Sequence, residues 1–135
     1  MALVQNQRRQ LPATIEGVDP RTALQGAFHI LRAWRVPNDQ ARTILGSPAL
    51  STYFAWQRGE AKRVPADVLR RIGYLAGMYK ALQILYSDPE QADTWINRPN
   101  RAFGGQTPLQ RMCAGDVTDL AVVRNYLDAA RAPWS

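Results

Sequence analysis

The chain has 135 residues, a formal net charge of +6, 46% hydrophobic and 21% charged residues, and a single cysteine. That length suits one domain or two small lobes sharing a core, and no apolar run approaches the roughly 18 residues of a membrane span. One cysteine (Cys113) excludes an internal disulfide, and the polar first ten residues read as lacking a signal peptide, so a reducing cytoplasm is expected.

The charge is unevenly placed. Residues 1 to 71 hold eleven Lys and Arg against five Asp and Glu, whereas residues 72 to 135 hold six of each. Fifteen of the seventeen cations are arginine, the side chain best suited to flat, bidentate recognition of phosphate or carboxylate. A basic half beside a neutral half suggests a polyanion-binding lobe joined to a lobe with another task.

In chain order, residues 1 to 18 lack periodicity and read as a flexible arm. Asp19-Pro20 predicts a helix start, because aspartate caps exposed amides and proline tolerates the first helical position. Leu24, Phe28, Leu31 and Trp34 then lie on one face, and Pro37 ends the element. Asn38 is expected to cap a short helix with Ala41, Ile44 and Leu45 inward. Gly46 ends it, and Ser47-Pro48 is expected to open a third helix running to about Gly59, giving a helix-turn-helix pattern. On that third helix Tyr53, Phe54 and Trp56 read as core, leaving Ser51, Thr52, Gln57 and Arg58 exposed.

The longest helix is predicted from Pro65 to Tyr86, with a stripe of Leu69, Ile72, Leu75, Ala76, Tyr79, Leu82 and Tyr86. Gly73 and Gly77 sit one turn apart inside it. Each costs roughly 1 kcal/mol of helix stability relative to alanine, so each implies a close backbone approach, within the core or across a dimer. Asp88-Pro89 starts a further helix ending near Trp95 and Ile96, and residues 97 to 105 form a breaker-rich loop. Thr107-Pro108 caps a short helix through Met112 and Cys113. Asp116 caps the last one, whose face is Leu120, Val123, Leu127 and Ala130. The expected fold is all-α: a helix-turn-helix lobe over 19–63, then a second helical domain over 64–135.

Catalytic machinery is not expected. His29 is the only histidine, and with Cys113 it cannot supply a zinc site of the usual Cys/His type. Gly104-Gly105 lacks the lysine and the spacing of a phosphate-binding loop. Asp88 with Glu90, and Asp116 with Asp119, are explained by the positive ends of helix dipoles. No catalytic residue, metal site or cofactor is therefore assigned, and the chain reads as a binding protein.

Several stretches together resemble a known family. They are Ile44-Leu45-Gly46-Ser47-Pro48, Tyr53 to Gly59, Arg71-Ile72-Gly73 and Met78 to Leu82, followed by Trp95 to Asn100, Phe103-Gly104-Gly105, Thr107-Pro108-Leu109, Gly115 and Val123 to Leu127. This set, spread over about residues 22 to 130, resembles the Xre/MbcA/ParS antitoxins of RES-domain toxins. In one respect it departs from ordinary helix-turn-helix units. Ala41 lies five residues before Gly46, and Arg42 takes the usual small position.

The resemblance implies an Xre-like helix-turn-helix followed by a toxin-binding domain. It implies a RES toxin partner that degrades NAD or transfers its ADP-ribose, and an antitoxin that covers the toxin's active site. It also implies promoter binding. DNA contacts are expected from Arg42, Arg58, Lys62 and Arg63, with Ser51, Thr52 and Gln57 nearest the base edges. Toxin contacts are expected from Arg98, Asn100, Arg101 and Phe103 in the loop, and from Arg124, Asp128, Arg131, Trp134 and Ser135 at the end. The Ser135 carboxylate, or Asp128, would stand where an NAD pyrophosphate binds; Arg124 and Arg131 would instead pair with acidic residues at the rim. A dimer or a hetero-oligomer with toxin is expected, and no membrane partner. The alternative is a free-standing Xre-type regulator.

Overall fold

A computed structural model describes residues 17 to 131. Among these are seven α-helices and no strand: α1 (Pro20–Ala33), α2 (Asn38–Ile44), α3 (Leu50–Gln57), α4 (Ala66–Leu85), α5 (Pro89–Thr94), α6 (Pro108–Met112) and α7 (Val117–Arg131). Two 3-10 turns, Trp95–Asn97 and Arg101–Phe103, interrupt the stretch between α5 and α6. The predicted arm falls on residues 1 to 16, outside the described residues, except at its end, where Val18 packs against the core.

Three of the expected proline starts form with their side-chain caps. The Asp19 carboxylate accepts the Thr22 amide at 3.2 Å and Asp88 accepts the Glu90 amide at 3.1 Å. Thr107 exchanges a reciprocal pair of bonds with Gln110, a capping box. The ends of α1, α2 and α3 share one device. In each, a carbonyl in the last turn accepts an amide five residues on (Leu31 from Val36, Arg42 from Ser47, Ala55 from Glu60). The residue before that donor adopts positive φ: Arg35 at 57°, Gly46 at 101° and Gly59 at 89°. Glycine reaches this conformation freely; Arg35 does so against the crowding of its own Cβ.

Two boundaries differ from the sequence reading. The third helix begins at Leu50 rather than at Ser47-Pro48, because Ser47 itself takes φ 56° and Ala49 is the N-cap. Asn38 is the first residue of α2 and not its cap. Its carboxamide oxygen instead accepts the Tyr53 hydroxyl at 2.9 Å and the Gln57 amide at 3.1 Å, locking α2 to α3.

One apolar cluster draws side chains from every helix. α4 lies at its centre, packed most heavily on α7 and also on α1 and α5. Leu24, Phe28, Leu31 and Trp34 of the first helical face are buried, as are Leu120, Val123 and Leu127 of the last; Ala130 is exposed. On α4 the expected stripe is buried at Ile72, Leu75, Ala76 and Leu82, while Leu69, Tyr79 and Tyr86 are only partly covered. Arg71, Gly73, Gly77 and Met78 are buried too, so α4 is enclosed on more sides than an amphipathic stripe allows.

Gly77 is explained within the chain. A Cβ at Gly77 would stand 2.4 Å from Cζ of Arg124, and Arg124 Nη1 donates to the Gly73 carbonyl at 3.4 Å. Gly77 opens a slot on α4 for an arginine of α7.

Candidate functional site

The helix-turn-helix surface divides the seven expected DNA contacts into engaged and open groups. Arg42 is half-buried, and its Nε donates to the Pro48 carbonyl, so it braces the α2–α3 turn. Gln57 is tied to Asn38. Arg58 pairs with Glu60 at 3.3 Å, and that hydrogen bond together with the arginine's charge holds the Glu60 carboxyl below the usual range. Ser51, Thr52, Lys62 and Arg63 are exposed, with no side-chain hydrogen bond or ion pair among the described residues.

Thr52 and Arg63 share the rim of a groove of about 450 Å³ whose walls include Trp56, Val68 and Pro48. A smaller cleft, of about 180 Å³, lies between α1 and the end of α3, with Gln25, Arg32, Gln57 and Arg58 around Phe28 and Trp56. Trp56 lines both clefts and is itself buried.

Sequence patterning assigned Phe54 to the core. The structure leaves it 37% exposed, one turn from Leu50 at 59%. α3 has only two turns, and Tyr53 and Trp56 fill its inward positions. Its outer face is therefore part polar and part apolar, and burial raises the Tyr53 hydroxyl above its ordinary pKa.

The second candidate surface combines residues 97–105 with α7. Asn100 organises the loop: its side chain accepts the Ala102 amide at 2.9 Å, its carbonyl accepts from Phe103 and Gly105, and its amide donates to Gln106. Arg98 reaches back to α5, donating to the Gln91 side chain at 2.7 Å and to its carbonyl at 3.2 Å. Arg101 is exposed, and its side chain has no polar partner among the described residues. Phe103 corrects the surface reading given to it. It is buried, edge-on to Trp95 and to Tyr126, and supports the loop from beneath.

Tyr126 joins loop to helix. Its ring stacks on Trp95 at 6.0 Å with a 22° interplanar angle, yet it stays 39% exposed beside Val122, one turn earlier on α7 and 37% exposed. Neither Val122 nor Tyr126 was singled out by the core pattern, which they border. An aromatic side chain just off a helix's buried stripe was the available signal.

The expected contacts on α7 are partly engaged within the chain. Arg124 lies in the Gly77 slot, 5.8 Å from the Tyr74 ring centroid, and pairs with Asp128 at 3.4 Å. Asp128 is half-buried and Arg131 is exposed. Trp134 and Ser135 lie outside the described residues.

The turn entering α7 is held by carboxylates. Asp119 accepts the Asp116 amide at 3.0 Å and pairs with Arg111 at 3.2 Å. Hydrogen bonds from the Thr118 side chain and backbone lower the Asp116 carboxyl. The Cys113 thiol is raised, first by burial and then by the charge of Asp39. A raised, half-buried thiol is a poor nucleophile. No group of three or more His, Cys, Asp or Glu capable of holding a metal occurs among the described residues, and none of their helices is long and apolar enough to cross a membrane.

Over 108 residues, 80% of this chain and 83% of the relative, the sequence is 42% identical to a protein of Sinorhizobium fredii (strain NBRC 101917 / NGR234) described as the uncharacterized protein y4oB. No solved structure matches the chain. Residues 8–77 match the antitoxin Xre-like helix-turn-helix domain, and residues 81–132 match the antitoxin Xre/MbcA/ParS C-terminal toxin-binding domain. With both domains matched in that order, the chain belongs to the Xre/MbcA/ParS antitoxin family.

Proposed function

We propose that this protein neutralises a RES-domain toxin by seating its α7 and 97–105 surface over the toxin's NAD-using cleft, and that it binds its own promoter through α3 and residues 62–63. The observation that carries the first part is the packing of Tyr126 against Trp95, stacked, and Phe103, edge-on. It makes one surface of the loop and α7, inside the stretch that matches a toxin-binding domain. Exposed tyrosine and arginine are the side chains that dominate protein interfaces, and Tyr126, Arg101 and Arg131 supply them here. Arg98 and Asn100 present the loop, and Phe103 acts through it. Arg124 and Asp128 act by fixing α7 on α4. Steric exclusion needs only affinity and placement, so the chemistry belongs to the partner. Trp134 and Ser135 are proposed to complete the cover, and the assembly is a dimer or a toxin hetero-oligomer.

The test is NAD consumption by the toxin at equal antitoxin concentration. The variants V122D/Y126A and R101A should lose inhibition while keeping the parent's helical content, and a chain ending at Ala130 should inhibit less than the full one. If all three inhibit fully, the surface is wrong.

For DNA, the freedom of Ser51, Thr52, Lys62 and Arg63 supports phosphate and base-edge contact, with Arg42, Gln57 and Arg58 holding the unit in shape. A promoter gel-shift should weaken steeply with salt. No shift, with or without toxin, overturns this part.

A further inference from the structure

Arg71 is the buried charged side chain of the described residues, 7% exposed, and neither proposed surface uses it. Its guanidinium donates in three directions: Nε to Asp67 Oδ2 at 2.8 Å, Nη1 to the Ile44 carbonyl at 3.3 Å, and Nη2 to the Gly115 carbonyl at 3.1 Å. Ile44 is the last residue of α2, at the entrance to the helix-turn-helix turn, and Gly115 lies in the turn between α6 and α7. The first turn rests directly on this side chain, since a Cβ at Gly46 would lie 3.3 Å from Arg71 Nε.

A guanidinium is a rigid planar fork, so its donors cannot be re-aimed independently. A buried donor or carbonyl left without its partner is strongly disfavoured. Displacing the α6–α7 turn therefore moves the fork or strands a buried group. Moving the fork displaces the carbonyl that ends α2.

We propose that Arg71 couples the two halves of the protein, so that a partner bound on the α7 surface changes the DNA affinity of the helix-turn-helix, and DNA changes partner affinity by the same factor. The identity of the two ligands rests on the function proposed above; the coupling between the turns does not.

The two levels are tested separately. Asp119→Ala removes the acceptor of the Asp116 amide and the partner of Arg111, loosening the α6–α7 turn without touching the helix-turn-helix. Amide exchange is then followed at Gly46 and Ser47, whose N–H groups donate to Thr43 and Arg42. Gly59 and Glu60, in the matching turn after α3, which Arg71 does not touch, are the control.

D119A should accelerate exchange at Gly46 and Ser47 several-fold more than at the control turn. In an R71K background, where the charge is kept and the fork is lost, that excess should vanish. Equal acceleration at both turns in the otherwise unaltered chain, or an excess that survives R71K, overturns the proposal. Should R71K fail to fold, the D119A comparison alone decides.

At the functional level, promoter affinity is measured with and without toxin. The expected ratio, about 5- to 100-fold in the parent, should fall toward one in R71K, and a ratio unchanged by R71K overturns the functional coupling. If neither toxin nor DNA binds the parent, the functional reading fails, and the exchange result still decides the coupling of the turns.

Discussion

Replacing Gly77 by alanine sets two effects against each other, and the structure says which wins. In an open helix the substitution stabilises by about 1 kcal/mol, because alanine loses less backbone freedom than glycine. Here the new Cβ would lie 2.4 Å from Arg124 Cζ and 2.5 Å from its Nε, so the guanidinium must leave its slot. It then forfeits the bond to the Gly73 carbonyl, long at 3.4 Å, for which about 1 kcal/mol is appropriate. The contact with Tyr74 at 5.8 Å adds about 1 kcal/mol. The half-exposed pair with Asp128 adds no more than about 0.5 kcal/mol. The net expectation is a loss of about 1 to 1.5 kcal/mol. In an Arg124→Ala background the slot is empty, and the same substitution should stabilise by about 1 kcal/mol. Urea unfolding of the four proteins gives the cycle, with a coupling energy near 2 kcal/mol. If G77A stabilises both backgrounds equally, Arg124 does not need the slot and the packing argument fails.

Arg35→Gly should raise stability by about 0.5 to 1 kcal/mol, seen as a higher melting temperature, because glycine relieves the positive φ while the lost pair with Glu90 is solvent-exposed. Cys113 should react with a thiol reagent well below the rate of free cysteine at pH 8, and unfolding in urea should restore that rate. The Asp116 carboxyl is lowered in the folded state, so its contribution is present above the unfolded value and is lost as pH falls through the folded one; D116N should flatten the acid side of the stability–pH curve. The Tyr53 and Tyr79 hydroxyls are raised, so their contribution is present below the unfolded value near 10 and declines as pH climbs past it, which a two-probe alkaline titration should detect as coincident unfolding and tyrosinate absorbance.

The helices were legible wherever a start carried its own chemistry, as at Asp19-Pro20, Asp88-Pro89 and Thr107-Pro108, because a cap is a local interaction. Ser47-Pro48 misled because the backbone of Ser47 turns left-handed there, a conformation its type does not announce, and Arg35 hid the same feature after α1. The surfaces were less legible than the fold. Arg42 and Gln57 look free in the sequence, and the groups that engage them, the Pro48 carbonyl and the Asn38 carboxamide, approach only once α2 and α3 cross. Phe103 shares the breaker-rich loop with Arg101, yet one is buried and the other exposed, a choice made by Trp95 and Tyr126 from other elements. Arg71 was counted only as one charge of the basic half. On a helix enclosed on most sides, periodicity no longer separates an inward arginine from an outward one.

The central position of α4 also governs how this antitoxin can be removed. The helix-turn-helix match ends at residue 77 and the toxin-binding match begins at residue 81, both within this one helix, and one core runs across the junction. Neither half keeps an apolar face of its own to close if the other is cut away, so unfolding is shared. A protease that captures the opened chain therefore destroys both surfaces in a single event. On the function proposed above, repression and neutralisation would share one lifetime, set by the stability of the common core around α4.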